Sequence, residues 1–305
     1  MGRYFKEYSE FLAEIFTGKV QKIPVNVGLS CPNRDGTLGR GGCIYCNNAS
    51  FSPVGLNAWQ SLEEQINAGR EFFRRKYKDM RFLVYFQSYT STHGQMDRLM
   101  DLYRRAAATE GTVGIIIGTR PDCVPDELLN VLSELNRECK VLMEYGAESA
   151  HNRTLELINR CHSWEQTVDA VKRSHEAGLK VGLHFIMGLP GEDEKMMLET
   201  VDAACALSPE VLKFHQLQVI KGTPLARMYE SGNADITLFT PESYSQLCMK
   251  IISRVPAHIA IDRFVAQAPS DMVIAPKWGM KNYQFAQMLE NKLKEYYKEA
   301  SKDLT

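Results

Sequence analysis

The sequence has no long apolar run. Nowhere in its 305 residues do apolar side chains approach the roughly 18 in succession that predict a membrane-spanning helix. The N-terminus (MGRYFKEYSE) has early charges and no apolar signal core. We therefore expect a cytoplasmic protein that makes no membrane contact.

An excess of charge of one sign is also missing. Lysine and arginine number 36, aspartate and glutamate number 37, and the formal net charge is −1. This balance argues against binding to nucleic acid through overall basicity and leaves room for local basic patches. With 44% hydrophobic residues, the chain is able to form one large domain, or one domain with a modest extension.

Cysteine is present, but not in a disulfide pattern. Eight cysteines in a chain of this size do not indicate the scaffold of a small secreted protein. Five are scattered, and we interpret them as small buried hydrophobic side chains. These are Cys123, Cys139, Cys161, Cys205 and Cys248. A second C-x-x-C pair is absent, which argues against an auxiliary cluster.

The other three cysteines lie in one glycine- and asparagine-rich stretch. Cys31, Cys43 and Cys46 have the spacing C-x11-C-x2-C, without an equally spaced fourth cysteine. The composition of the long gap predicts a loop. Three thiolates with one open coordination position indicate a reactive iron–sulfur cluster rather than a closed structural metal site. The alternative is a structural zinc site completed by a histidine such as His93.

Six short apolar segments alternate with helical segments along the chain. The predicted strands are 23–29, 81–86, 112–117, 140–144, 180–187 and 210–219. Alternation of this kind predicts parallel strands joined by right-handed helical crossovers. The expected fold is therefore α/β, a partial (β/α)6 TIM-like barrel of parallel strands with a small C-terminal α/β extension.

The rhythm of the sequence changes after residue 240. A predicted helix over 241–255, an extended piece over 259–267 and a final helix over 280–300 follow. We predict a barrel domain over 1–240 and an extension over 241–305. The extension should pack on the barrel, because a piece of about 65 residues is near the lower limit of domain size.

Polar or glycine-rich segments follow the predicted strands. Besides the cysteine loop they include QSYT (87–90), GTRPD (118–122), YGAES (145–149) and GLPGE (188–192). In α/β barrels the site forms at the C-terminal ends of the strands. We therefore expect these segments to surround one mouth that also contains the three cysteines.

The segment Cys43-Ile-Tyr-Cys46, with Tyr45 as its aromatic residue, resembles part of the cysteine motif of the radical S-adenosylmethionine (radical SAM) superfamily. The resemblance covers residues 20 to 225 and is closest to the branch related to oxygen-independent coproporphyrinogen oxidase and the elongator catalytic subunit. The C-x11-C spacing, GTRPD and H-x3-GLPGE together resemble a bacterial subgroup linked to modification of tRNA wobble uridine.

This resemblance implies the cofactors and the reaction. The three cysteines would bind a [4Fe–4S] cluster, and the amino and carboxylate groups of SAM would chelate its open iron. An electron from the cluster would cleave SAM to methionine and a 5′-deoxyadenosyl radical, which abstracts a substrate hydrogen. The implied partners are a reductant protein of the flavodoxin or ferredoxin type and tRNA as the favoured substrate. A radical enzyme for a small molecule and a non-catalytic metal-bearing binding module are the alternatives.

The resemblance also implies contacts with SAM. Ser88 or Thr90, or nearby carbonyl groups, would meet its amino group, because the family's glycine-rich segment is missing here. Glu148 would lie near the ribose, with capping of the following helix as the alternative. Arg160 would pair with the carboxylate through its planar fork, with a surface salt bridge as the alternative.

Two further positions carry over from the fifth predicted strand. Gly188 begins GLPGE, which lines adenine in the family and lets backbone approach the ligand. His184 is either a SAM contact or a hydrogen-bonded core histidine. Arg120, within GTRPD, either reaches the mouth or braces its turn with Asp122. The sixth predicted strand carries Lys213, His215 and Gln216. Because side chains alternate along a strand, only some of them point into the barrel.

Basic residues suggest where RNA would bind. The basic stretch 70–81 precedes a strand, so we predict a solvated helix face on the side away from the chemistry. The better candidates lie nearer the mouth. They are Arg34, Arg40, Lys221, Arg263 and Lys277.

Overall fold

A sheet of parallel strands forms the centre of the fold. The computed structural model describes residues 4–50, 59–74, 80–266 and 268–302. The strands are β1 (Lys6–Glu7), β2 (Val20–Val25), β3 (Arg81–Phe86), β4 (Thr112–Thr119), β5 (Lys140–Glu148), β6 (Lys180–Met187), β7 (Val211–Gln216), β8 (Val219–Ile220), β9 (Ala260–Ile261) and β10 (Val273–Ala275). Eight of them form one curled sheet in the order β1-β9-β7-β6-β5-β4-β3-β2, with every neighbouring pair parallel. Strands β8 and β10 form a separate antiparallel pair.

Helices connect the strands. They are α1 (Tyr8–Ile15), α2 (Pro32–Asp35), α3 (Leu62–Arg74), α4 (Met96–Ala108), α5 (Asp126–Glu138), α6 (Asn152–Leu157), α7 (Trp164–Glu176), α8 (Glu194–Ala206), α9 (Pro224–Glu230), α10 (Pro241–Ile252) and α11 (Asn282–Lys302). Several begin at side chains that accept a hydrogen bond from the first turn, as Ser163 and Thr240 do in capping boxes. In the described residues, no helix combines the length and apolarity needed to cross a membrane.

The predicted α/β half-barrel is confirmed, and all six predicted strands are present as β2 to β7. The first strand begins at Val20 and ends at Val25, earlier than predicted. It ends there because Asn26 Oδ1 accepts a hydrogen bond from the Gly28 N–H at 3.2 Å and Gly28 has φ 67°, which turns the chain. Helix α3 is described over Leu62–Arg74, and residues 75–79 fall outside the described ranges.

Two strands of the sheet lie beyond the six predicted for the barrel, and one of them, β9, falls in the extended piece predicted over 259–267. Strand β9 pairs with β7, and β1 pairs with β9, so the C-terminal segment and the N-terminus extend one edge of the sheet. Each is only two residues long, too short for a periodic pattern. The segment after residue 240 thus shares the sheet of the barrel, while the division into 1–240 and 241–305 stays a prediction.

The interior of the half-barrel changes from apolar to polar along the strands. Alternate residues such as Val84, Ile115 and Met143 pack in the main apolar cluster that the helices cover. Residues of opposite orientation, such as Leu83 and Leu142, form a smaller cluster with Tyr8 and Phe11 of α1. Further along, the inward positions carry Glu144 and Lys213, which are buried. Helix α1 therefore packs against the apolar part of the interior, and the site lies beyond it.

Candidate active site

The three clustered cysteines line one cavity. Cys31 precedes the first residue of α2, and the Cys46 N–H donates to the Cys43 carbonyl at 3.0 Å in a tight turn. Left-handed glycines at 41 and 42 bring the chain back to Cys43, which is 4% exposed. All three thiols are free and line the cavity at the C-terminal ends of the strands.

The eleven-residue gap is tied to the segment that carries Arg160. The Gly42 N–H donates to Asn33 O at 2.9 Å, and Asn159 Nδ2 donates to Gly42 O at 2.9 Å. Asn33 is fully buried, and its Nδ2 donates to the Asn159 carbonyl. These bonds fix Arg160 relative to the cysteines, although the two segments lie more than a hundred residues apart.

The cavity contains unpaired polar atoms. Within the described part of the chain, four residues that line it each have a buried side-chain nitrogen or oxygen without a hydrogen-bond partner. The atoms are Thr90 Oγ1, Arg120 Nη1, His215 Nδ1 and Arg263 Nε. Because an unpaired buried polar atom costs about 1–3 kcal/mol, such atoms in a cavity indicate a polar ligand. Together with three thiols, this lining fits an iron–sulfur cluster with a charged organic ligand.

A site for a single metal ion is not supported. Among the described side chains, no three His, Cys, Asp or Glu groups are placed to share one ion. His93 Nε2, a possible zinc ligand in the alternative, lies 2.7 Å from Asp35 Oδ2. A cluster differs from a single ion because each thiolate binds its own iron, so the three sulfurs need not converge on one point.

Arg160 is buried beside Cys43 rather than on the surface. Its side chain is 9% exposed, with Nη1 3.6 Å from Cys43 Sγ and Nη2 3.4 Å from Glu148 Oε1. Its Nε donates to His162 Nε2 at 2.9 Å. Burial lowers the pKa of His162 to about 3, so the ring is neutral and able to accept. The guanidinium is thus fixed in orientation, as recognition of a carboxylate requires.

Glu148 lies in strained backbone at the end of β5. It has φ 68°, and the pairing with β6 shifts register between Gly146 and Glu148. A left-handed non-glycine residue costs about 1–3 kcal/mol and is typical of functional sites. Burial raises the pKa of the carboxyl group, and Arg160 counteracts this. The N-cap of α6 is His151, so Glu148 does not cap that helix.

The remaining predicted SAM contacts divide into two groups. Tyr45, Thr90, Glu148, Arg160 and His184 line the cavity together with the cysteines, whereas Ser88 and Gly188 are not among its lining residues. A side chain at Gly188, which has φ 91°, would meet Phe239 at 3.0 Å. The packing of the loop against Phe239 therefore accounts for this glycine.

His184 and Arg120 each line the cavity and also pair with a neighbouring acid. His184 lines the cavity, and its Nε2 also lies 2.8 Å from Glu144 Oε2; burial chiefly lowers its pKa to about 4. Arg120 donates to Asp122 at 2.9 and 2.8 Å, is 2% exposed, and leaves its third nitrogen unpaired.

Sequence reasoning missed a buried charge network inside the half-barrel. Lys22 Nζ lies 2.9 Å from Asp262 Oδ2 and 3.4 Å from Glu144 Oε1. Lys213 Nζ lies 3.3 Å from Glu144 Oε2 and 3.4 Å from the Tyr85 hydroxyl. The signal that was available is a charged residue in the middle of an apolar strand, as in KVLME and VLKFHQ.

The basic residues near the mouth differ in their placement. Arg34 lines the cavity and donates to the Cys46 carbonyl at 2.6 Å, so it stabilises the cysteine loop. Arg263 also lines the cavity. Arg40, Lys221 and Lys277 are exposed to solvent. Part of the basic stretch 70–81 lies outside the described residues.

Two family models match the chain. The model described as "Radical SAM superfamily" matches residues 26–204, and "Radical_SAM C-terminal domain" matches residues 209–295. The chain is 34% identical over 273 residues to the Bacillus subtilis protein YtqA, covering 90% of this chain and 84% of that protein.

More distant similarities extend to proteins named for tRNA. A tRNA uridine(34) acetyltransferase of Methanocaldococcus infernus is 27% identical over 165 residues, covering 53% of this chain and 30% of that protein. The solved structure of Methanocaldococcus infernus Elp3 with an N-terminal deletion matches with a TM-score of 0.67 and 17% identity. That match covers 92% of this chain but less than two thirds, 64%, of that chain, and it shows the shared fold.

Proposed function

Because the chain belongs to the radical SAM superfamily, we propose that it uses its cofactors to modify a wobble uridine of tRNA. Members of this family are enzymes that use a [4Fe–4S] cluster and SAM and need a reductant. When bound, these cofactors supply a 5′-deoxyadenosyl radical that abstracts hydrogen from the substrate.

We assign the cofactor ligands by residue. Cys31, Cys43 and Cys46 would hold the cluster, and Arg160 would bind the carboxylate of SAM. Glu148 would orient Arg160 and accept from a SAM hydroxyl, and Thr90 would offer its unpaired hydroxyl to the amino group. Tyr45 and His184 would form further walls of the SAM site. For Ser88 and Gly188 the support is limited to the sequence motif.

The sequence similarity to tRNA uridine(34) acetyltransferases carries the tRNA proposal. It covers about half of this chain, 53%, and 30% of that protein, so it is a similarity to part of that enzyme rather than to the whole. Exposed cations at Arg40 and Lys221 supply charge for RNA phosphates. Phosphate contacts of this kind position RNA without reading its sequence.

The electron donor is also proposed by class. Cys31 and Cys46 are partly exposed, and Leu38 in the loop between Cys31 and Cys43 is 54% exposed. A flavodoxin- or ferredoxin-type protein is therefore able to approach this loop closely. Such a donor fits a protein of the cytoplasm.

The test compares nucleosides of total tRNA from cells with and without the gene. We expect one modified uridine to disappear and a precursor to accumulate, with recovery by the wild-type gene and not by Cys43→Ala. Cys205→Ala on α8 is the matched control, because Cys205 is not among the residues that line the cavity. Unchanged tRNA nucleosides, together with purified protein that still cleaves SAM, would exclude tRNA and favour the small-molecule alternative.

A further inference from the structure

The cavity is also lined by basic side chains from strands far from β2 in the sheet order. They come from β7, through Lys213 and His215, and from Arg263, which follows β9. Because side chains alternate along a strand, Lys213 and His215 lie on the same face of β7. We call Lys213, His215 and Arg263 the β7 subsite.

Positive charge is in excess in the network to which this subsite belongs. Its cations are Lys22, Lys213 and Arg263, and its anions are Glu144 and Asp262. Burial holds the pKa of His184 and of His215 below the ordinary histidine value, so neither ring adds a charge at neutral pH. The network therefore contains one more positive than negative charge, and an uncompensated buried charge is costly.

The subsite also has unpaired nitrogen atoms. His215 Nδ1 and Arg263 Nε are buried and make no hydrogen bond. Lys213 is 3% exposed, and its nearest acid oxygen, Glu144 Oε2, lies at 3.3 Å, longer than a good charge-assisted hydrogen bond. His184 Nε2 lies closer to the same Glu144 oxygen, at 2.8 Å. An oxygen anion in the cavity would pair with these nitrogen atoms and neutralise the excess charge.

From these contacts we propose that the β7 subsite binds an anionic group, a carboxylate or a phosphate, carried by the substrate on which the cofactors act. The inference rests on the proposed function, because it takes the substrate to be a uridine in RNA. In such a substrate the anion has two sources, a carboxylate on the base or a phosphate of the RNA backbone. Binding it there would hold the uridine in the cavity that the three cysteines also line.

The test measures binding of two matched pairs of probes to the cluster- and SAM-loaded protein under anaerobic conditions. The first pair is 5-carboxymethyluridine and its methyl ester, and the second is uridine 5′-monophosphate and uridine. We expect the anionic member of one pair to bind about tenfold or more tightly than its neutral partner. The pair that shows the preference identifies the source of the anion.

Variants connect the preference to the subsite. Arg263→Gln and Lys213→Met should bring the anionic probe to the affinity of its neutral partner, with the affinity of the neutral partner unchanged. A purely structural effect would weaken both probes equally. Lys195→Gln is the charge-matched control, since Lys195 is exposed and pairs with Glu199 on α8.

Two results would overturn the inference. One is equal binding of the anionic and neutral members in both pairs by the wild-type protein. The other is a preference for the anion that survives both Arg263→Gln and Lys213→Met. Neither result would affect the comparison of tRNA nucleosides, so the failure of the subsite is distinguishable from the failure of the tRNA proposal.

Discussion

At the scale of single residues, the site depends on a close approach between Gly146, Glu148 and Arg160. A Cβ at Gly146 would lie 2.7 Å from Arg160 Nη2 and 2.8 Å from Glu148 Oε1. The Gly146 carbonyl also accepts a hydrogen bond from Arg160 Nη2. Glycine is therefore required where the strand passes the guanidinium, and the arginine has little freedom to move.

Replacing Gly146 by alanine tests this arrangement. Gly146→Ala should displace the Arg160 guanidinium and weaken SAM binding about tenfold or more, since a charge-assisted hydrogen bond contributes about 1.5–3 kcal/mol. Equilibrium binding of SAM to the cluster-loaded protein is the measurement. Gly182→Ala on β6 is the control, because a Cβ there makes its nearest contact at an ordinary 3.4 Å. SAM affinity equal in both variants would show that Arg160 does not bind SAM.

At the scale of elements, the loop between β6 and α8 is fixed at its helical end. Asp193 accepts a hydrogen bond from the Met196 N–H at 2.8 Å and begins α8. The adjacent Glu192 accepts a hydrogen bond from Ser149, so the loop is joined to the end of β5. The cap of α8 therefore fixes the C-terminal end of the GLPGE segment. The other end is held separately, by the packing of Gly188 against Phe239.

Loss of this cap should lower stability without altering cofactor binding. Asp193→Ala should reduce the free energy of unfolding by about 1 kcal/mol, the usual effect of losing an N-cap side chain. Denaturant unfolding gives this value, and Asp193→Asn should retain most of the stability. A change in SAM affinity equal to that of Gly146→Ala would contradict the structural role.

At the scale of the whole molecule, Glu144 joins strands that are distant in the chain. Its carboxylate lies within 3.4 Å of cations on β2 and β7 and 2.8 Å from His184 on β6. Burial alone would raise the pKa of Glu144, but Lys213 and Lys22 lower it well below the ordinary value. The carboxylate is therefore charged at neutral pH and offsets the half-buried ammonium group of Lys22 and the buried one of Lys213.

Removing this charge should destabilise the fold strongly. Glu144→Gln leaves Lys22 and Lys213 with Asp262 as their remaining acid, and breaking a buried ion pair costs about 3–5 kcal/mol. Denaturant unfolding at neutral pH measures the loss. Glu71→Gln is the control, because its pair with Arg74 is exposed and contributes at most about 1 kcal/mol. If both variants lose a similar amount of unfolding free energy, solvent screens the charges around Glu144 and the prediction is wrong.

The architecture was predictable wherever the signal is local. Strands β3 and β6 begin and end where the apolar runs predicted, because continuous apolar segments mark strands covered by helices. Strand β1 was missed, and β9 was expected only as part of an extended piece over 259–267, since two residues give no pattern and pairing between distant segments creates both strands. The first strand was predicted to end too late because Val27 and Leu29 continue the apolar run beyond the turn at Asn26.

The sequence by itself determined the family and the parallel α/β fold, because each is encoded in local patterns, and it supplied the three cysteines proposed as cluster ligands. Only the tertiary structure decided which charged groups share one cavity. Lys22 and Asp262 are 240 residues apart in the chain and 2.9 Å apart in the fold. Such contacts depend on how the sheet curls, and no short pattern in the sequence specifies that curvature.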